Sequence, residues 1–487
     1  MAERTDVVVI GAGVGGLAVA IRLAAVGHRV VVLERNGVTG GKLATITKAG
    51  YSFDIGPSLV TLPHVFDELF RHAGTSLADE VELVRLDPQF TYRWPDGSSL
   101  VVPDDPTATA DAFEAFAPGA GAAWRTFDDR GRRIWDISER TFFAGPMDAP
   151  LDLVRRLRSP RDLTGIDPLR TLHGRAAATF EDPRLVQWAG RYATYSGSSP
   201  YRAPATLSCI PHIESRFGCW SAPGGLGMLR DALQRVAGTV GVDVRVGAEV
   251  ARITAGDDRA NGVLLADGTV LRANVVIANV DAEHVYEDLL PDDGELADVR
   301  RAGRSTSGFI LAAAVRGRTA GVTHHDVWFS ADDRAEFADL EAGRMAADPT
   351  IYACISALTD PTQAPPGCEN WFLLVNAPAG ARLDVEAETT ALLDRLAARG
   401  VDLRDRIEWS TTLTPCDIEA RDRSAGGAIY GTSSNGRRAA FARPGNRGTV
   451  AGLYLVGGSS HPGGGLPLVV TSARIVADLV AADGFRP

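Results

Sequence analysis

The chain is almost without lysine: Lys42 and Lys48 stand against 48 arginines among its 487 residues. Cysteine is scarce too, and Cys209, Cys219, Cys354, Cys368 and Cys416 form no Cys-x-x-Cys pair. Such scattered thiols argue against a disulfide framework or a cysteine-built zinc site, and the expected compartment is a reducing cytoplasm. Long apolar runs are missing. Val7 to Val26 comes nearest, but four glycines and Arg22 interrupt it and no cleavage site follows, so neither a membrane span nor a leader is expected. Excess positive charge is also lacking: 50 basic residues against 61 acidic ones give a net charge of −11, which argues against nucleic acid as the main partner. What is present is ordinary globular material, 45% hydrophobic and 23% charged, enough for two or three domains with true cores.

The first fifty residues carry the clearest pattern. Asp6 to Ile10 is a β-branched run read as a buried parallel strand. Gly11-Ala12-Gly13-Val14-Gly15-Gly16 follows, then a helical stretch with Leu17, Ala20, Ile21 and Ala24, and a second strand, Arg29 to Leu33, closed by Glu34. Strand, glycines, helix, strand and acid arrive in the order a dinucleotide-binding βαβ unit requires. Gly11 allows the tight turn, Gly13 admits a pyrophosphate close to the backbone, and Gly16 lets helix pack on strand. The helix N-terminus offers free N–H groups to phosphates. Glu34 suits the hydroxyls of an unphosphorylated ribose, so FAD or NAD is expected rather than NADP.

Gly40-Gly41-Lys42 comes next, and then Phe53-Asp54-Ile55-Gly56-Pro57-Ser58. These residues resemble the amine-oxidase-like flavoproteins, and the second group specifically the bacterial carotenoid (phytoene) desaturases. The block from Arg191 to Pro200 with Ala203 to Leu207 is similar to the hydroxycarotenoid 3,4-desaturase (methoxyneurosporene desaturase) branch. Gly457 to Pro467, placed between a strand and a helix, looks like the family's closing motif, in which a glycine-rich turn lies beneath the flavin. Branch members carry an apolar helix with a His-x-Glu segment after the Arg191 block. Here His212-Ile213-Glu214 is preceded by Pro211 and followed by Ser215-Arg216-Phe217, a departure where the substrate channel would be walled.

The resemblance implies an α/β fold: a Rossmann-type FAD-binding domain with an interleaved α+β substrate domain carrying an antiparallel sheet. The expected division gives residues 1–75, 216–290 and 419–487 to the FAD domain, and 76–215 and 291–418 to the substrate domain. FAD would be held by Gly11, Gly13, Gly16, Glu34, Arg35, Gly41 and Lys42, with Pro57, Ser58, Val250 and Asn279. From the closing motif it would meet Gly457, Gly458, His461, Gly465, Leu466, Pro467 and Leu468, with His461 stacking on or orienting near the flavin. Lys42 is expected as a compact charge near the flavin or pyrophosphate, where a guanidinium fork fits less well. Lys48 is expected to be a solvated turn residue. Arg191, Tyr192 and Tyr195 are the substrate-side candidates.

The implied activity is desaturation of a carotenoid or related isoprenoid by hydride transfer to flavin N5, with quinone or oxygen as final acceptor. Leu151, Leu153, Val154 and Leu157 with Arg155, Arg156 and Arg158 make a basic amphipathic stretch. It is read either as a core-facing helix or as a peripheral contact with the inner face of the cell membrane. His324-His325 and His284 are expected to be surface histidines, and no metal is expected, because neighbours on a strand point to opposite faces. Two alternatives remain at this stage: a flavin dehydrogenase or amine oxidase for a smaller polar metabolite, and a non-catalytic lipid-binding protein of the GDP-dissociation-inhibitor type.

Overall fold

The computed structural model describes residues 3–436 and 439–487. Two sheets organise it. The first has five parallel strands in the order Asp243–Val246, Val30–Glu34, Val7–Ile10, Val275–Ala278 and Leu453–Leu455. Residues alternate between its faces as strand geometry demands. Val7, Val9, Val30 and Val32 meet the helices Val14–Ala25, Gly227–Thr239 and Leu466–Ala482 on one side. Val8, Ile10, Val31 and Leu33 meet a small sheet built on Val250–Gly256, Arg259–Leu265 and Val270–Arg272 on the other. The last two of these strands pair antiparallel across a turn at Asp267-Gly268.

The second sheet has seven strands: Ile407–Leu413, Ser307–Val315, Glu369–Ala377, Ile351–Cys354, His325–Trp328, Phe90–Arg93 and Ser99–Val102. Its pairings are antiparallel except where His325–Trp328 runs parallel to Phe90–Arg93. One face packs on the helix Val385–Ala398 through Leu392 and Leu396. The other receives Tyr51, Phe53 and Ile55 from the N-terminal hairpin Thr45–Lys48 and Tyr51–Asp54, so that this hairpin joins the second sheet's core.

Four of the prolines between residues 106 and 183 start helices: Pro106, Pro150, Pro160 and Pro183 each sit in a first turn, where the missing N–H costs nothing. Pro211 behaves alike, as the third residue of the helix Cys209–Phe217. The sequence departure therefore leaves the channel wall helical. Trp188 anchors this region, with Phe113, Phe127, Phe180, Tyr92 and Tyr192 around its ring. Among the described residues no helix is long and apolar enough to cross a membrane.

Ile277 is fully buried on a central strand between Val9 and Tyr454. Ile277→Ala should lower unfolding stability by about 2–5 kcal/mol, whereas Val246→Ala, on an exposed edge, should change it by less than about 0.5 kcal/mol. Urea unfolding midpoints compare the two directly.

Candidate active site

Two glycine turns meet where the parallel strands end. Gly11 leaves its strand with φ +93° and donates to the Leu33 carbonyl at 2.8 Å. A Cβ on Gly16 would lie 2.1 Å from the Gly11 carbonyl oxygen, so only glycine allows this helix to start so close to the strand. Asn279 fills the space between the turns. Its amide donates to the Gly11 carbonyl at 3.2 Å, and its Oδ1 would be 2.6 Å from a Cβ on Gly15 and 2.7 Å from one on Gly457. Asn279 thus clamps the first turn to the closing turn, a role that its place in the sequence alone does not reveal.

Glu34 is buried at the end of its strand. One carboxylate oxygen accepts from the Ala12 N–H at 2.9 Å, the other from the backbone and side-chain amides of Asn36 at 2.9 and 2.8 Å. It borders a cavity of about 900 Å³ together with Gly11, Gly13, Arg35, Gly41 and Val250. The parallel register explains this company, because Val246 pairs with Glu34 and the chain turns back at Val250. A glycine cradle with no room for Cβ atoms, a helix N-terminus and a buried carboxylate one strand away fit an adenine dinucleotide.

The next stretch of the cavity is framed by residues distant in sequence. Lys42 donates to the carbonyls of Ala428 at 3.1 Å and Ile429 at 2.8 Å. Burial pushes its pKa down, against the pull of Asp422 and Asp281. Lys42 therefore ties the second glycine segment to the C-terminal part of the chain while still bordering the cavity. Arg35 likewise reaches the Ala420 carbonyl at 3.0 Å. Gly458, Gly465, Leu466, Pro467 and Leu468 present the N-terminus of the last helix to the cavity, near Pro57 and Ser58. Arg443, which sequence reading missed, staples this turn: it donates to the carbonyls of Gly458 at 2.6 Å, Thr432 at 2.6 Å and Tyr430 at 2.9 Å. Burial pushes its pKa down to about 10. His461 turns away from this face. Its Nε2 lies 3.1 Å from the Gly145 carbonyl and its ring stands edge-on to Phe142, so the expected flavin contact is replaced by a structural one.

The cavity continues between the two sheets to the Arg191 block. The helix Pro183–Gly190 tightens into the turn Arg191–Ser196, which sends Arg191 and Tyr195 to the cavity wall. Tyr192 points the other way, into the Trp188 cluster, and, contrary to expectation, does not border the cavity. Both tyrosines donate to buried Glu214, Tyr192 at 2.8 Å and Tyr195 at 2.5 Å. Burial raises the Glu214 pKa, and the two phenols work against that rise. Tyr352, from the second sheet, shares a hydrogen bond with Ser58 and lies 2.8 Å from His325 Nδ1.

His324 and His325 are not surface residues. Both are buried with ring centroids 4.4 Å apart, and their ligand atoms and the Cys354 thiol lie within 4.8 Å of one another. The pleat rule fails because His324 precedes the strand His325–Trp328 at a bend. His284 also differs from expectation: it borders the cavity and pairs with Asp288 at 2.6 Å.

Residues 14–481 match the family of flavin containing amine oxidoreductases. A 4,4'-diapolycopene oxygenase of Methylomonas sp is 36% identical over 494 residues, covering 99% of both chains. A hydroxyneurosporene desaturase of Cereibacter sphaeroides is 36% identical over 98% of this chain and 97% of its own. A 1-hydroxycarotenoid 3,4-desaturase of a Flavobacterium is 33% identical over 97% of this chain and 98% of its own. In fold the chain is similar to a Methanosarcina mazei oxidoreductase, with TM-score 0.67 and 18% identity over 97% of this chain and all of the other. It is also similar to a putrescine oxidase, with TM-score 0.66 and 16% identity over 99% of this chain and all of the other.

Loss of the Glu34 carboxylate removes an acceptor suited to the ribose. Glu34→Ala should weaken FAD binding by roughly 10-fold to 100-fold, read by titrating apoprotein and following flavin fluorescence. Unchanged affinity would reduce Glu34 to a local cap for Ala12 and Asn36. Matched along nearly its whole length by both the family and its relatives, the chain belongs to the flavin containing amine oxidoreductases and is an FAD-dependent oxidoreductase.

Proposed function

We propose that the enzyme desaturates a carotenoid-like polyene, and that cofactor and substrate share one continuous cavity. The observation that carries this reading is the cavity itself. Beyond the glycine cradle its wall is mostly apolar, with Leu62, Trp135, Phe143, Ile213, Ile310 and Phe372, although Gln187, Arg191, Asp333 and Glu336 also border it. Such a wall fits a long hydrocarbon better than a small polar metabolite. The intact cradle supports an enzyme over a lipid carrier without cofactor.

Held by Gly11, Gly13, Glu34 and the turn before Leu466–Ala482, FAD would supply the hydride acceptor, with quinone or oxygen as the final oxidant. The chain's own part is to hold the polyene, keep water out and align one C–H bond. The free backbone N–H groups in the first turn of Leu466–Ala482, to which Pro467 contributes none, place partial positive charge at the cofactor's end of the cavity. The positive charge left on a polyene by hydride loss is delocalised, which lessens the need for a strong base. Residues 1–75, 216–290 and 419–487 make the cofactor part in this reading, and 76–215 and 291–418 the substrate part.

The far end of the cavity reaches Leu153, Val154 and Leu163. Around it Leu151, Val154, Leu163 and Leu169 are 44–71% exposed, interspersed with exposed Arg155, Arg158, Arg161 and Arg170. An apolar rim set in arginines suits an anionic lipid surface, from which a polyene would enter. We place the working enzyme on the cytoplasmic face of such a membrane.

Expression of the holoenzyme in a carotenoid-producing host should shift pigment absorbance to longer wavelength through added conjugated double bonds. An unchanged pigment profile beside flavin-loaded protein would overturn the reading. For the membrane contact, the protein should float with anionic vesicles, and Leu151→Asp with Val154→Asp should abolish flotation. Flotation that survives both changes would place the contact elsewhere.

A further inference from the structure

The register of the second sheet lines up a row of polar groups that leads away from the cavity. His325 pairs with Cys354 and Val327 with Tyr352, so His325 and Tyr352 are diagonal neighbours on one face. The Tyr352 hydroxyl lies 2.8 Å from His325 Nδ1 on one side and is hydrogen-bonded to the Ser58 hydroxyl on the other. Ser58 and Tyr352 border the cavity, Ser58 in the segment at its cofactor end. His324, at the bend before the strand, stands edge-on to His325 with ring centroids 4.4 Å apart, and its Nδ1 lies 2.8 Å from the Thr359 hydroxyl. Thr359 is exposed. Between the two imidazoles the row has one open link, because the Nε2 atoms of both are buried without a partner. Two unpaired nitrogens on neighbouring rings are costly unless one comes to donate and the other to accept.

Resting on the desaturation reading above, we propose that Ser58, Tyr352, His325, His324 and Thr359 form the wire by which the proton released in desaturation reaches solvent. Desaturation takes a hydride and a proton from adjacent carbons, and a cavity that keeps water out leaves the proton without an acceptor. One set of hydrogen positions satisfies every link. Ser58 donates to Tyr352, Tyr352 to His325 Nδ1, His325 through its Nε2–H to His324 Nε2, and His324 through its Nδ1–H to Thr359. The substrate C–H bond breaks as an O–H bond forms at Ser58, each donor hands its own proton to the next acceptor, and one proton leaves Thr359 for water. The open link closes when ring rotation brings the two Nε2 atoms to hydrogen-bond distance. Each imidazole is left as its other tautomer until the hydroxyls and rings turn back. A hydroxyl suffices as first acceptor, because a C–H bond beside a polyene cation is strongly acidic. Burial lowers the pKa of both histidines, that of His324 to about 4, so at rest neither holds an extra proton that would block the relay. Arg191, whose guanidinium carbon is 5.6 Å from the centroid of the Tyr352 ring, repels the moving charge outward.

The wire is tested on the holoenzyme in two ways. Nitrogen NMR of isotope-labelled histidine, with signals assigned through His324→Asn and His325→Phe, reads the tautomers without any substrate. His325 should carry its proton at Nε2 and His324 at Nδ1, and the opposite tautomer at either would overturn the wire. Anaerobic mixing with a linear polyene then reads the rate at which its band moves to longer wavelength. Tyr352→Phe and His324→Asn, the second keeping a donor for Thr359, should each slow that change roughly 100-fold. Binding, read from quenching of tryptophan fluorescence, and the flavin spectrum should stay as in wild type. The double variant should be no slower than the slower single one, because a wire cut once is already broken. Wild-type rates in either single variant, or losses that multiply in the double one, would overturn the proposal. Cys354→Ala removes a thiol of the same cluster outside the wire and should leave the rate unchanged. A loss there equal to that of His324→Asn would trace the effect to packing and overturn the wire as well. If wild type desaturates no polyene, the desaturation reading fails, while the tautomers still decide the wire.

Discussion

The close approach of three backbone segments around Asn279 is the constraint on which the rest depends. Gly11, Gly15 and Gly457 belong to two turns far apart in sequence, yet each would drive a Cβ into or beside this one residue. Asn279 follows the strand Val275–Ala278, which pairs with both Val7–Ile10 and Leu453–Leu455. The register of the parallel sheet therefore brings the turns together, and the amide holds the first of them through the Gly11 carbonyl. Everything that faces the cofactor is hung from this junction: the N-terminus of Val14–Ala25, the strand carrying Glu34, and the N-terminus of Leu466–Ala482.

A second set of ties carries positional accuracy outward. Lys42 and Arg443 are partly buried cations that spend their donors on backbone carbonyls of residues 428–432 and 458. Neither neutralises an acid by direct contact in these bonds; both fix loops that secondary structure does not reach. Arg191 contrasts with them. It too is partly buried, but its Nη1 has no carbonyl to meet and its guanidinium carbon is instead surrounded by the rings of Phe90, Tyr92, Tyr195 and Tyr352.

What was legible in the sequence is what is local. The βαβ unit, its glycines and Glu34 lie within thirty-odd residues, and each has a steric or hydrogen-bonding reason that spacing alone displays. The closing turn was readable for the same reason. The long-range partners were not: nothing near Arg443 points to Gly458 and Thr432, and nothing near Tyr352 points to Ser58. Tyr192 and Tyr195 show how fine the limit is. They share one short motif and both bond Glu214, yet a tight turn sends one to the cavity and the other into the Trp188 cluster. The misreading of His324-His325 came from applying strand alternation one residue too early, and that of His461 from assuming that a histidine in a flavin-facing turn faces the flavin. The scarcity of lysine drew attention to Lys42, whose observed bonds are to the carbonyls of Ala428 and Ile429.

The central claim is that one cavity brings a linear polyene against the bound flavin. Anaerobic mixing of purified holoenzyme with a linear carotenoid, followed by absorbance, tests it in a single turnover. Bleaching of the oxidised flavin band together with a shift of the polyene band to longer wavelength is the predicted result. A flavin that stays oxidised while the carotenoid is bound would contradict it.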